Sequence, residues 1–102
     1  IGITKRKQLI DYGITEINDQ KIFNFKEKPT YDFYVSMGIY ILNKKILKII
    51  PKNKKFGFNN LIKKMLQTKI PVNYYLNKKY WLDIGRPDDY DKAQLDYKKK
   101  IF

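Results

Sequence analysis

The sequence predicts a mixed α/β fold on three observations. Apolar runs at strand spacing fill much of its first 42 residues, a segment at helical period follows, and a proline-led acidic helix start stands at Pro87. Leu9 to Ile17 reads as a strand, Asn18-Asp19 as a turn and Lys21 to Phe25 as the returning strand of a hairpin. Phe33 to Leu42 is a third strand, and it carries Gly38 where a side chain would obstruct something close to the backbone. Asn43 caps a short helix that runs through Ile50 and is stopped by Pro51. Asn59 or Asn60 opens a second helix, whose Leu61, Ile62, Met65 and Leu66 share one core-forming face. Pro71 to Leu76 and Lys79 to Ile84 read as two more strands, joined at Asn77-Lys78. The last helix runs from Pro87 to about Lys100, with Tyr90, Ala93, Tyr97 and Ile101 on one face and Lys98-Lys99-Lys100 at the negative end of its dipole. The expected order is βββααββα, in a single domain over 1–102.

Composition narrows the chemistry. A chain of 102 residues that is 43% apolar suits one small domain. It contains neither Cys nor His, which removes disulfides, thiolate and imidazole metal sites, and Ser-His or Cys-His nucleophilic catalysis. Carboxylate, lysine and backbone chemistry remain. The net charge of +12 invites a nucleic-acid partner. However, the basic residues are scattered lysines with only Arg6 and Arg86 among them, a composition that an A+T-rich coding sequence supplies, so no nucleic acid is expected. No apolar run approaches the roughly eighteen residues of a spanning helix, so a cytoplasmic protein without a membrane or signal segment is expected. The chain opens in apolar residues without an initiator Met and reads as an excised piece.

Three groups of residues carry candidate chemistry. In Trp81-Leu82-Asp83-Ile84-Gly85-Arg86-Pro87-Asp88-Asp89-Tyr90, Pro87 suits the first helical position, and Asp88 and Asp89 suit the positive end of the helix dipole as caps. Asp83 stands among apolar neighbours that would draw it into a core, so it meets a cation, metal or ligand hydroxyl, or else caps the turn through its own backbone. Glu27-Lys28-Pro29 places an acceptor for vicinal hydroxyls beside a compact cation suited to phosphate, with proline biasing Lys28 towards an extended backbone; the same tripeptide is also a common surface turn. Gly13, Gly38 and Gly85 each interrupt or end an apolar run, where glycine serves a close approach or a sharp turn.

Taken in order, Tyr12-Gly13-Ile14-Thr15-Glu16-Ile17, Phe25-Lys26-Glu27-Lys28-Pro29, Tyr34 to Leu42 and Trp81 to Tyr90 resemble the C-terminal half of sugar-1-phosphate nucleotidyltransferases. The resemblance extends from about Asp11 to Ala93, and its tryptophan motif is most similar to the guanylyl- or mannose-1-phosphate-type branch. It implies a Rossmann-like nucleotide-diphospho-sugar transferase fold with a mixed sheet. It also implies transfer of a nucleotide from a nucleoside triphosphate to a sugar-1-phosphate, with Mg²⁺ as cofactor. By the same resemblance Gly13 and Gly38 line the sugar site, Glu27 binds sugar hydroxyls, Lys28 binds the sugar phosphate, and Asp83 holds the metal, with Lys28 and Asp83 as the catalytic pair. These five residues are expected to converge on one cleft.

The sequence departs from the family pattern as well. The N-terminal glycine-rich loop of the kind Gly-x-Gly-Thr-Arg and a second metal-binding acid are not in this chain, and Ser36-Met37 stands where many relatives carry Asn-Ala. The chain by itself is therefore expected to be inactive. Two other readings remain open at this point: a non-catalytic regulatory or interaction domain of the same fold, and a small basic nucleic-acid-binding module using Tyr74, Tyr75 and Tyr80 to stack bases.

Overall fold

The computed structural model describes residues 1–101 and has a mixed α/β architecture. Its elements are β1 (Gly2–Leu9), β2 (Gly13–Asn18), β3 (Lys21–Glu27), β4 (Thr30–Ser36), a 3-10 helix (Lys44–Ile49), α1 (Phe58–Gln67), β5 (Tyr75–Asn77) and α2 (Pro87–Lys98). The strands form a three-stranded sheet ordered β4-β1-β5 and a separate two-stranded sheet of β2 and β3. The chain divides into two compact units, one of Ile1–Ile3 with Ser36–Asn77, the other of Thr4–Val35 with the chain from Lys78 onward. Among the described residues no helix is long and apolar enough to cross a membrane.

β1, of which Thr4–Leu9 belong to the second unit, is an element that the sequence pattern did not reveal, because its apolar opening passes directly into Lys5-Arg6-Lys7. Alternation explains it: Thr4 is buried and Arg6 half-buried, while Lys5 and Lys7 point to solvent. The single strand expected over Leu9 to Ile17 is broken at Ile10–Tyr12, where the chain changes neighbours. The Ile10 amide donates to the Pro29 carbonyl, and the Tyr12 carbonyl accepts from the Lys28 amide. β2 and β3 then form the expected hairpin, antiparallel from Gly13 opposite Glu27 to Asn18 opposite Lys21. Its turn is Asp19-Gln20, one residue later than expected, with φ of 48° and 63°. Two residues in the left-handed region match the twist of the flanking strands. Between Glu16 and Ile17 the register shifts, leaving Phe23 as the extra residue of a bulge.

In the first unit, the strand expected to reach Leu42 ends at Ser36. Gly38 explains the stop: its φ is +75°, and a Cβ there would meet nothing within 4 Å. Its conformation, not a close neighbour, calls for glycine, which corrects the expectation from the sequence. Around it the Met37 amide donates to the Gly2 carbonyl while the Gly2 amide donates to the Ile39 carbonyl, so three residues oppose one. Asn43 caps the next element as expected, its side chain accepting from the Lys45 amide, though that element is a 3-10 helix. α1 begins at Phe58 behind Gly57, earlier than Asn59 or Asn60, and buries Leu61 and Met65. Ile62 is half-buried, but Leu66 is exposed, so the expected core face is narrower than the sequence pattern suggests.

Lys79–Ile84 is not a strand, and the strand expected over Pro71 to Leu76 is reduced to Tyr75–Asn77. For the former the reason lies in the helix start: the Asp83 amide donates to the Asp89 carboxylate and the Asp83 carbonyl accepts from the Arg86 amide, committing that backbone to a turn. Pro87 takes the first turn of α2, and Asp88 and Asp89 follow as expected. The buried face of α2 differs from the predicted one. Tyr90, Tyr97 and the trailing Ile101 are exposed, and the fully buried residues are Asp89 and Asp96, seven positions apart.

The buried apolar core of the described residues is small, consisting of Leu61 and Met65. The accessible area is 9357 Å² for a 12.3 kDa chain. A folded monomer of that mass exposes about 6,100 Å², and even two separate globules of half the mass expose only about 7,300 Å². Much apolar surface is therefore left in water, including Ile17, Ile22, Phe23 and Phe25 on the hairpin.

Candidate functional site

The hairpin assembles three of the sequence-predicted residues. Gly13 lies directly opposite Glu27 across the β2–β3 ladder, so both present the same face of the ribbon. A Cβ on Gly13 would come within 2.6 Å of Phe25 Cζ and 3.5 Å of a Glu27 carboxylate oxygen. Glycine here makes room for the Phe25 ring, and it leaves the Gly13 backbone beside the Glu27 carboxylate. Lys28 follows at the end of the ladder, fixed by its amide donating 3.1 Å to the Tyr12 carbonyl. The other face of the ribbon carries Ile14 and a polar cluster: Lys26 pairs with Glu16 at 3.1 Å, and Asn24 donates to the same carboxylate.

Lys28 does not take the extended backbone expected of a residue before proline. Its φ is +44°, a left-handed conformation rare for any residue but glycine, and disfavoured before Pro29. Two interactions hold it there: the ladder bond to Tyr12, and an ion pair of its Nζ with Asp11 at 3.7 Å. Strain of this kind costs about 1–3 kcal/mol and persists where its surroundings over-determine it. Glu27 and Lys28 are both exposed, so their charged ends are open to a ligand.

Asp83 is exposed, not buried among its apolar neighbours as expected. One of its oxygens, Oδ1, accepts from the Gly85 amide at 3.0 Å, which is the turn-capping role. The buried acid of this segment is Asp89, which the sequence suggested was only a cap. Its two oxygens accept from both terminal nitrogens of Arg6 at 2.9 and 2.8 Å, and one also accepts from the Asp83 amide. The Arg6 hydrogen bonds hold the Asp89 carboxyl at about 2, well below the ordinary carboxylate range, with burial opposing them. At the other end of α2, Asp96 accepts from Lys92 Nζ at 2.6 Å and from the Tyr80 hydroxyl at 2.8 Å, and these bonds lower its pKa. The two anchors therefore fix the helix, and through it the Asp83 turn. Their sequence signal was available in part, as two acids seven apart on one helix face; Arg6 had none beyond its rarity in a lysine-rich chain.

The structure thus brings Gly13, Glu27 and Lys28 together and sets Asp83 on a separate turn of the same unit, with no hydrogen bond or ion pair to the other three among the described residues. Gly38 belongs to the other unit. Among the described residues no three acids cluster to form a metal centre. Asp83 fits a hard divalent cation as a single ligand, because its second oxygen is not used by the turn.

The sequence profile described as Nucleotidyl transferase matches residues 1–100. The chain is 33% identical over 104 residues to D-glycero-alpha-D-manno-heptose 1-phosphate guanylyltransferase of Aneurinibacillus thermoaerophilus, an alignment covering 99% of this chain and 44% of that protein. It is 34% identical to glucose-1-phosphate adenylyltransferase of Clostridioides difficile, covering 83% of this chain and 25% of the relative. Against the protein of that name from Clostridium perfringens it is 35% identical, covering 86% and 25%. The chain spans less than half the length of these relatives. No solved structure matches it.

Proposed function

The chain belongs to the nucleotidyl transferase family, and on that footing we propose that it is the sugar-phosphate-binding, C-terminal part of an enzyme that joins a sugar-1-phosphate to a nucleoside triphosphate. The observation that carries this reading is the hairpin site, in which an acceptor-only carboxylate opposes a glycine and adjoins a strained, solvent-facing lysine. The family's glycine-rich triphosphate loop is not in this sequence, which fits a part that handles the sugar end of the reaction. On this reading the parent adopts a Rossmann-like fold, and a reducing cytoplasm suits a chain without Cys.

In the reaction, an oxygen of the sugar phosphate attacks the α-phosphorus of the triphosphate. A new P–O bond forms as the bond to the bridging oxygen of the β-phosphate breaks, and pyrophosphate leaves. Such a transfer needs positioning and charge neutralisation and no protein nucleophile. Glu27 accepts hydrogen bonds from sugar hydroxyls and orients the ring, with the Gly13 backbone alongside. Lys28 places its ammonium on the sugar phosphate, offsetting the repulsion between attacking and attacked phosphates. Asp83 would be the residue of this chain to hold Mg²⁺, which would supply further charge neutralisation for the phosphates.

Steady-state kinetics on the complete enzyme test the assignment. Glu27→Ala and Lys28→Ala each raise KM for the sugar phosphate by about tenfold or more, as expected when a charge-assisted bond is lost, and leave KM for the triphosphate near its original value. Unchanged sugar-phosphate dependence in both variants would refute the hairpin as the site.

A further inference from the structure

A cavity of about 510 Å³ lies in the first unit, lined by two segments, Tyr40 to Asn43 and Ile70 to Tyr75, with Ile62 and Met65 of α1 and Ile1 also on its walls. Both segments have strand-type sequences, Ile39-Tyr40-Ile41-Leu42 and Pro71-Val72-Asn73-Tyr74, yet neither is in regular pairing. The start of β1 bonds to both. On one side Gly2 exchanges backbone bonds with Met37 and Ile39. On the other the Ile1 carbonyl accepts from the Tyr75 amide, and the Ile1 amine donates to the Asn73 carbonyl at 3.1 Å. Ile1, donating to position 73 and accepting from position 75, shows the pattern of a parallel ladder, whereas Gly2 donates to the later and accepts from the earlier of its two partners, as in the bulged pairing described above.

Both pairings point beyond Ile1. On the Gly2 side the next main-chain groups in register belong to Ile41, a residue that is 92% exposed. On the other they are the Asn73 amide and the Pro71 carbonyl. Among the described residues none of these groups has a backbone partner. An apolar floor with two unpaired main-chain edges is satisfied by polypeptide in extended form, which supplies donors and acceptors at strand spacing and side chains for the floor.

We infer that this cavity seats the polypeptide preceding Ile1 in the parent protein, which continues β1 by two or more residues and pairs with Ile41 on one side and with Pro71 and Asn73 on the other. Its inward side chains are small or β-branched and apolar, to pack on Ile62 and Met65. The inference rests on the reading that this chain is part of a longer enzyme.

Hydrogen exchange on the longer protein and on the chain beginning at Ile1 decides it. The Ile41 and Asn73 amides exchange at least about tenfold more slowly in the longer protein, while the Met65 amide within α1 is unchanged and serves as reference. Ile41→Pro, which removes the donor, lowers the melting temperature of the longer protein and leaves that of the shorter chain unaltered. Equally fast exchange of both amides in the two proteins overturns the inference. Protection in the shorter chain that grows with its concentration also overturns it, and assigns the cavity to a second copy. Nucleotidyl transfer by the longer protein is assayed separately. Protected amides without activity refute the proposed function alone, and activity with unprotected amides refutes the strand alone.

Discussion

Arg6 and Asp89, 83 positions apart, form a two-pronged ion pair at 2.9 and 2.8 Å that ties β1 to the first turn of α2. The Asp89 side chain is only 5% accessible and that of Arg6 27%. Removing one partner therefore leaves a desolvated charge behind. The Asp83 amide, bonded to the same carboxylate, makes the pair a support for the candidate metal-binding turn.

Breaking the pair is expected to cost about 3 kcal/mol of stability in either Arg6→Ala or Asp89→Asn. Replacing both partners by apolar residues, Arg6→Met with Asp89→Leu, recovers much of the loss but not all, because the Asp83 amide then lacks its acceptor. Denaturant unfolding of Arg6→Met, Asp89→Leu and the double variant checks this. Strict additivity would show that the two side chains do not act as a pair.

Acid unfolding follows from the depressed pKa of Asp89. The folded value of about 2 lies below the unfolded one, so its contribution is complete above the unfolded value. It is lost as pH falls from about 4 towards 2. Asp96, also lowered, adds in the same direction. A melting-temperature profile is expected to fall across that window and to be flatter in Asp89→Asn.

Lys28→Gly separates structure from function. Glycine adopts the left-handed backbone without strain, so the variant is expected to gain about 1 kcal/mol in thermal or denaturant unfolding. The lost ammonium simultaneously raises KM for the sugar phosphate in the complete enzyme. A variant with unchanged kinetics would make Lys28 merely a turn residue.

Asp83→Asn preserves the turn, because the amide oxygen accepts from Gly85 as the carboxylate does. Melting temperature is expected to stay within a degree or two, about the effect of a neutral surface change. Turnover of the complete enzyme falls by about a hundredfold, and more Mg²⁺ is needed for half-maximal rate. Full turnover with an unaltered Mg²⁺ requirement would leave Asp83 with the structural role alone.

The legible parts of the fold were those written in local chemistry. The hairpin was recoverable from apolar strands around a polar turn, the Asn43 cap from its side chain, and the start of α2 from Pro87 and its acids. The site residues Gly13, Glu27 and Lys28 lay within one such local element, so their meeting followed from the hairpin. What stayed hidden depends on distant partners. Nothing near Arg6 announces Asp89, and the acids that α2 buries read as surface residues until their cations are known. Ile39 to Leu42 and Pro71 to Tyr74 have strand-like sequences, but a strand is made by its neighbour as much as by its own residues. Lys28 shows the reverse case, a local rule overridden by the ladder bond to Tyr12.

The unit that carries the candidate site is assembled from two stretches, Thr4–Val35 and the chain from Lys78 onward, with Ser36–Asn77 of the other unit between them in sequence. A ribosome delivers those stretches at different times. At about 5–20 residues per second, Arg6 waits roughly 4–17 s for the 83 residues that bring Asp89. For the later part of that interval the hairpin and its aromatic side chains stand without the helix that completes their unit. The later stretch thus closes a unit that the earlier one began. A stall or truncation before Asp89 is expected to release a sticky, chaperone-dependent nascent chain, whereas one after Lys98 is not.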